Sequence, residues 1–393
     1  MVLFLSAVLL SPAVGTSHEF SGFIATEGKL FEHGPLLSEQ SSNDISLIIA
    51  PEYYHTLAGG SRVTVSPFLR LDSSCDRRSL FDMRELNFLW LNDDWELTIG
   101  ISKVFWGVTE FVHLVDIINQ TDLAGAIDSE EKLGQPMVHL SLFRDWGVVD
   151  FFVLPLFRER IFPGEKDRLR PSVMIETEDA RYESSQKSHH VDFALRFSRT
   201  VGDIDFGIYH FTGTSREPDL LPTLDFQHRP VLYLTPHYEQ INQTGLDMQM
   251  VAGSWLFKLE SLYRTSRKDD FFAAAVGFEY TLTSLARSGI DLGLIGEWAY
   301  DGRENTAATV FDNDVMLGLR LALNDSASSM LLLGLVEDVD GQSRIVTMEA
   351  SRRVGSNWKV LLEGYLFTGI ADTDPMYGFR DDDHISLTLA WYF

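Results

Sequence analysis

The side chains with chemical capacity fall into two sets. One is confined to residues 106–122, where Glu110, His113, Asp116, Asn119 and Asp122 follow the pair Trp106-Gly107. The other is scattered through the last third as Lys258, Glu260, Asp291, Glu297, Arg320, Glu349, Lys359 and Glu363. Such groups can contact hydrated solutes and ions, and rings of carboxylates favour cations. Hydrolysis is the competing chemistry, and it needs a nucleophile beside an oriented base. No Gly-x-Ser-x-Gly elbow and no His-Glu-x-x-His zinc motif occurs in the sequence. His189 and His190 are adjacent, and neighbours on a strand point to opposite faces, so they do not chelate together. Asp381-Asp382-Asp383 resembles a calcium-binding loop in composition alone. Cys75 is the single cysteine, which excludes an intramolecular disulfide and a thiolate metal cluster. The expectation is a protein that is not an enzyme and holds no metal or cofactor, whose charged groups contact solutes or pair with one another.

Alternation decides where those groups point. In the last ten residues Ile385, Leu387, Leu389, Trp391 and Phe393 share one side of a strand, while Ser386, Thr388, Ala390 and Tyr392 share the other. Trp255, Phe257, Leu259 and Tyr263 likewise oppose Lys258, Glu260 and Arg264. Val315, Leu317, Leu319, Leu321 and Leu323 oppose Asp314, Gly318, Arg320 and Ala322. About eighteen segments of this kind can be marked along the chain, sixteen being the other even count. Long connections fall at residues 31–43, 106–135, 158–187 and 213–230, and short turns lie between them.

A soluble sandwich or propeller shows the same period, because alternation reports only two unlike faces. The aromatic residues discriminate. Trp95, Trp255, Trp298, Tyr300, Trp358, Trp391 and Phe393 lie near segment ends on the apolar side, as interfacial girdles do. Charges recur at mid-strand on the other side. A basic residue on a lipid-facing wall costs about 2–4 kcal/mol at the midplane, so the charged faces are assigned inward. The expected fold is all-β, a transmembrane antiparallel β-barrel over residues 16–393 with short periplasmic turns and long outer loops. Residues 106–135 are expected either to fold into the lumen or to form an ordinary surface loop, and their apolar positions permit a short helix. The charge-dense stretch 158–187 reads as a solvated outer loop. Residues 232–252 read as one long strand.

The composition agrees with that class. The chain has 393 residues, of which 45% are hydrophobic and 23% charged, enough for an ordered core. No apolar run approaches the roughly 18–20 residues of a membrane helix, so any crossing uses strands. A formal net charge of −25 excludes nucleic acid as a partner. Residues 1–15 have an apolar centre and end in the small-x-small site Ala13-Val14-Gly15, a pattern that predicts a secretory signal cleaved before Thr16, although its first residues carry no Lys or Arg.

The closing strand, with its terminal Phe393, resembles that of bacterial outer-membrane β-barrels, and the resemblance implies recognition by the barrel-assembly machinery. Several further blocks resemble a family of porin-like barrels of proteobacteria. They are Trp255-Leu256-Phe257-Lys258-Leu259-Glu260, Gly277-Phe278-Glu279-Tyr280, Phe311-Asp312-Asn313-Asp314, Leu319-Arg320-Leu321-Ala322-Leu323-Asn324, Glu349-Ala350-Ser351-Arg352-Arg353 and Trp391-Tyr392-Phe393. Trp106-Gly107 with Asp116, Asn119 and Asp122 belongs with them. The likeness covers most of the chain, is strongest after about residue 230, and names no substrate. It implies a Gram-negative outer membrane, contact with its lipid, passage of small hydrophilic solutes, and an oligomeric state that stays open with a homotrimer among the options. Two other readings stand beside the channel: a plugged structural or binding barrel whose outer loops engage partners, and an outer-membrane hydrolase.

Overall fold

The computed structural model describes residues 16–126, 130–225, 231–303, 311–372 and 374–393. The expected leader, residues 1–15, lies outside the described residues. The chain runs as β1 (Ser17–Phe31), β2 (Asn43–Thr56), β3 (Arg62–Asp72), β4 (Leu80–Asn92), β5 (Trp95–Ser102), β6 (Gln135–Arg144), β7 (Gly147–Leu154), β8 (Arg181–Tyr182), β9 (Asp192–Val201), β10 (Ile204–Thr214), β11 (Asp219–Asp225), β12 (Val231–Tyr238) and β13 (Gln240–Ala252). It continues as β14 (Trp255–Thr265), β15 (Asp270–Leu282), β16 (Asp291–Asp301), β17 (Asn313–Ala322), β18 (Met330–Asp338), β19 (Arg344–Val354), β20 (Trp358–Thr368) and β21 (His384–Tyr392).

Eighteen of these strands form one antiparallel sheet, and β8, β11 and β12 form a separate three-stranded sheet. The large sheet closes on itself because β21 returns to β1, with Phe23 opposite Tyr392 and Phe31 opposite His384. Closure satisfies the ladder groups that an open sheet would leave unpaired at its edges. The amide of Phe393 adds a last bond to the carbonyl of Gly22 at 3.1 Å. Both described chain ends therefore sit at the same rim, the one that carries the tightest turns. At several of those turns the backbone enters the left-handed region, as at Gly202 (φ +62°) and Gly253 (φ +64°), where a side chain would be strained. Pro67 coincides with a register shift between β3 and β4, so the proline falls at the irregularity rather than inside a regular ladder.

The faces follow the alternation. On β14 the exposed Trp255, Phe257 and Tyr263 alternate with buried Lys258, Glu260 and Arg264. On β21 Ile385, Leu387, Leu389 and Trp391 are exposed while His384, Ser386 and Ala390 are buried. Apolar outside and polar inside is the reverse of a soluble domain and the pattern of a lipid-facing wall. Of the girdle candidates, Trp95, Trp255, Trp358, Trp391 and Phe393 cluster at the rim of tight turns. Trp298 and Tyr300, stacked at 5.9 Å, sit near the opposite rim.

Four expectations need correction. Residues 232–252 are not one strand: the chain breaks at Glu239, and its first half, β12, leaves the wall to join the small sheet. The alternation of long and short connections is imperfect, since residues 266–269 on the long-loop side are brief and residues 283–290 on the other side are longer. No helix forms among the described residues of 106–135, because their apolar side chains pack against the wall instead of along one helical face. The charge-dense stretch 158–187 is not a solvated outer loop. Asp167, Arg168 and Arg170 within it are buried, and Ile175 bridges to Leu234 of β12.

Candidate functional site

Glu260 and Glu297 face inward from neighbouring parts of the wall, and both are spent on holding a loop. The described residues of 103–134 leave the wall between β5 and β6 and cross the interior, and those around 108–115 meet β14 to β18 on the far side. Glu260, fully buried, accepts the amides of Val108 at 2.6 Å, Thr109 at 2.9 Å and Val115 at 3.2 Å, and the hydroxyl of Thr109 at 2.6 Å. Glu297 accepts the amides of Glu110 at 2.6 Å and Phe111 at 3.0 Å. Glu110 then points its own carboxylate at Arg320, 2.7 Å away, and Lys258, 3.4 Å away. Phe111 lies against Gly318 and Gly334, which face each other on β17 and β18; a Cβ on Gly334 would approach the Phe111 ring to 3.0 Å. These glycines make room for the ring.

The remaining loop candidates fasten the same segment. Asp116 accepts the amides of Trp106 at 2.6 Å and Gly107 at 3.0 Å. Asn119 accepts the amide of Val104 and donates to the carbonyls of Ser102 and Leu133. Asp122 and Arg70 form a buried ion pair at 2.6 Å. His113 packs over Gly107, with Nδ1 buried and without a partner among the described residues. Apolar packing completes the anchorage: Trp106, Val115, Ile117 and Ile118 meet Met137, Phe152, Leu154, Tyr209 and Phe211 of the wall. Glu110, Asp116, Asn119, Asp122, Lys258, Glu260, Glu297 and Arg320 are thus brought into one fastening network.

Open space lies elsewhere, against β20, β21, β1, β2 and β3. A cavity of about 290 Å³ runs between that wall and the loop tip at Gly125 and Ala126. Its levels can be read from the register. Phe23 and Tyr392 pair at the tight-turn rim; Ala25 and Ala390 come next, with Lys359 beside Ala390; then Glu27 and Thr388; then Lys29 and Ser386, with Glu363 beside Ser386; and last His384, with Tyr365 stacked on it at 5.1 Å. The cavity therefore follows β21 over eight residue steps, about 27 Å at ~3.4 Å per step. Small side chains help leave it open: Ala25, Ser386, Thr388 and Ala390 line it. Of the sequence candidates, Lys359 and Glu363 line this column, and Glu349 sits opposite Glu363 on β19. Glu27, Lys29, Arg70, Tyr365 and His384 line it as well and were not singled out from the sequence. The signal that marks the column is the small, polar side of β21.

A second network seals the opposite quarter of the long-loop end. Glu217 contacts Arg264 at 2.7 Å and Arg303 at 3.4 Å, and Arg216 contacts Asp192 at 2.6 Å. Burial alone would oppose ionisation of Glu217, yet Arg264, Arg303 and Arg160 outweigh it and hold its carboxyl far below the ordinary carboxylate range. A depressed value means that its stabilising contribution is complete above the unfolded pKa of about 4.3 and is lost only as pH falls through the folded value. Limited proteolysis of β11 and β12 should therefore remain unchanged from pH 7 to pH 4.5, whereas Glu217→Gln should expose them at neutral pH. Release of the parent's strands at pH 4.5 would contradict this.

One constellation has the residue types of a hydrolase. Ser141, His139 and Asp150 meet on the inner face of β6 and β7, but the order of contacts is wrong for nucleophile activation. Ser141 donates to Asp150 at 2.5 Å, and His139 Nε2 lies 2.9 Å from the same carboxylate oxygen and 3.1 Å from the Ser141 hydroxyl, so one ring nitrogen is shared between the two groups that a triad places on opposite sides of the ring. The serine proton thus goes to the carboxylate, and the imidazole nitrogen that should receive it already faces the acid.

Solved structures share the fold. A BenF-like porin from Pseudomonas fluorescens Pf-5 superposes with a TM-score of 0.55 at 9% identity, covering 96% of this chain and 98% of that one. OccD3 (OpdP) of Pseudomonas aeruginosa gives 0.53 at 10% identity, with 97% and 92% covered. Wzi of Escherichia coli, described as an outer-membrane protein involved in group 1 capsule assembly and a carbohydrate-binding β-barrel, gives 0.52 at 9% identity, with 93% and 83% covered. No protein-family model matches the sequence, and no curated protein matches it. The chain is a closed eighteen-stranded antiparallel β-barrel with the fold seen in outer-membrane barrels, porins among them.

Proposed function

We propose that this protein is a porin-like channel of the Gram-negative outer membrane, passing small hydrophilic solutes passively along the column beside β21. The observation that carries the reading is the column itself, which follows the wall through the length of one strand and is lined by Lys359, Glu27, Lys29 and Glu363 in succession. A groove with charged groups at successive levels along a strand suits a hydrated solute that moves from one to the next. On this reading the exposed apolar wall meets lipid, β21 with Phe393 is the segment handed to the assembly machinery, residues 1–15 direct export, and the porin-like family of proteobacteria is its kin. No catalytic step belongs to it, and the charged groups act on solutes by contact alone.

The rival reading is a plugged binding barrel. It draws on the apolar clusters that fill the interior around Trp106 and around Met316 and Phe367. Reconstitution into planar bilayers separates the two. The channel reading expects discrete single-channel openings that scale with salt and narrow when Thr388→Trp fills the column. A correctly folded barrel that stays silent here and in every loop-released variant would leave only the binding reading.

A further inference from the structure

At its long-loop end the column runs into a septum. Lys29, Gly125, Ala126 and Leu169 border it on one side and also border a much smaller void of about 10 Å³ beyond, which Arg168 lines. A void of that size is at the lower limit for a single water, so among the described residues the space narrows sharply at this level. The narrowing depends on where Leu169 sits, and the three residues that precede it are fastened to neighbouring connections. Asp167 and Arg168 offer their carbonyls to the Gln40 side chain, each at 3.2 Å, and the Lys166 carbonyl accepts the amide of Ser41.

The strongest hold is Arg168. Its guanidinium is fully buried; Nε donates to Asp382 at 2.8 Å, Nη1 to the carbonyl of His33 at 3.2 Å and Nη2 to the carbonyl of Asp381 at 3.0 Å, and the group lies 4.3 Å over the Phe31 ring. One side chain thereby joins three connections: the one after β1, the one between β7 and β9, and the one between β20 and β21. The ion pair is incomplete. Asp382 is also fully buried, yet its second oxygen has no hydrogen-bond partner among the described residues. A buried carboxylate satisfied on one oxygen only is a weak point in an otherwise tight closure. The same chain segment in water would regain full hydration for both charges, so closed and open arrangements of this connection are both physically accessible.

We propose that Arg168 and Asp382 form a latch that holds Leu169 across the outer end of the column, and that the column conducts when the latch releases. The proposal rests on the channel reading above and assigns to that channel its gate. The two charge-dense motifs that stand out in the sequence, Lys166-Asp167-Arg168-Leu169-Arg170 and Asp381-Asp382-Asp383, are then the two halves of one device.

The test is single-channel recording of the full-length protein in planar bilayers, with the heat-induced mobility shift in gels as a check that each barrel is folded. The parent should open rarely and briefly. Arg168→Gln and Asp382→Asn should each raise the open probability at least tenfold without changing the largest conductance level, because the column itself is unaltered. Leu169→Gly should produce longer openings with the ion pair intact, which separates loss of the septum from a general loosening of the loops. Lys268→Gln, a surface change on another connection, should behave as the parent. A parent that is open most of the time, with Arg168→Gln and Leu169→Gly indistinguishable from it, overturns the latch and leaves the channel standing. If the parent, Arg168→Gln and Leu169→Gly are all folded and silent, the channel reading falls with it.

Discussion

Replacing Glu260 by alanine should release the inserted loop from the far wall and turn a narrow barrel into a wide one. The carboxylate has no exposure and accepts three backbone amides and one hydroxyl from residues 108–115. Each donor left without a partner in a buried setting costs about 1–3 kcal/mol, so the anchorage loses on the order of 5 kcal/mol if the loop stays in place. The loop escapes that penalty by moving to where water can serve the same amides. The barrel ladder is untouched, so the heat-induced mobility shift should persist. Conductance should rise several-fold, and proteases should begin to cut within residues 103–126. Glu260→Gln should fall between, because an amide keeps one acceptor oxygen and turns a donor toward amides that also donate. A Glu260→Ala barrel whose loop stays protected and whose currents match the parent would show that the apolar contacts of Trp106, Ile117 and Ile118 suffice without the carboxylate.

The second large effect is expected at Arg70 and Asp122, where truncation of one partner and replacement of both should have opposite consequences. Arg70 is 3% exposed and Asp122 0%, and their contact is 2.6 Å. Arg70 also donates through Nε to the carbonyl of Arg78 at 2.7 Å. Asp122→Ala strands a buried guanidinium and should destabilise the barrel by about 3–5 kcal/mol, whereas a double change to Arg70→Met and Asp122→Leu should be close to neutral. Gly125 belongs to the same arrangement, since a Cβ there would come within 2.6 Å of Arg70 Nη1. Because Arg70, Gly125 and Ala126 line the column, Asp122→Ala should also raise conductance noise as the loop tip loosens. Denaturant unfolding in detergent micelles measures the stability difference. Equal losses for the single and double variants would mean that the pair contributes through specific geometry rather than through charge compensation.

The residues of the wall show why this fold is legible in a sequence. Alternation on β14, β17 and β21 is a local property with a period of two, and each strand states its own inner and outer face without reference to any other. The even count, the apolar exterior, the gathering of Trp255 and Trp391 at one rim and the closing role of the last strand all follow from such local statements. The division of residues 232–252 was not legible, because β12 and β13 alternate alike and only the position of Glu239 among its neighbours parts them.

The interior is another matter. Thr109 and Glu260 are 151 residues apart, and Arg168 and Asp382 are 214 apart. Nothing local distinguishes a carboxylate that will accept amides from one that will face water. Sequence alone determined which side chains point inward, since that is fixed by strand geometry and the energetic penalty of charge in lipid. Tertiary structure decided which inward groups pair off as fasteners, which line the column beside β21, and which connections fold back over its outer end, because those outcomes depend on which strands stand opposite once the barrel has closed.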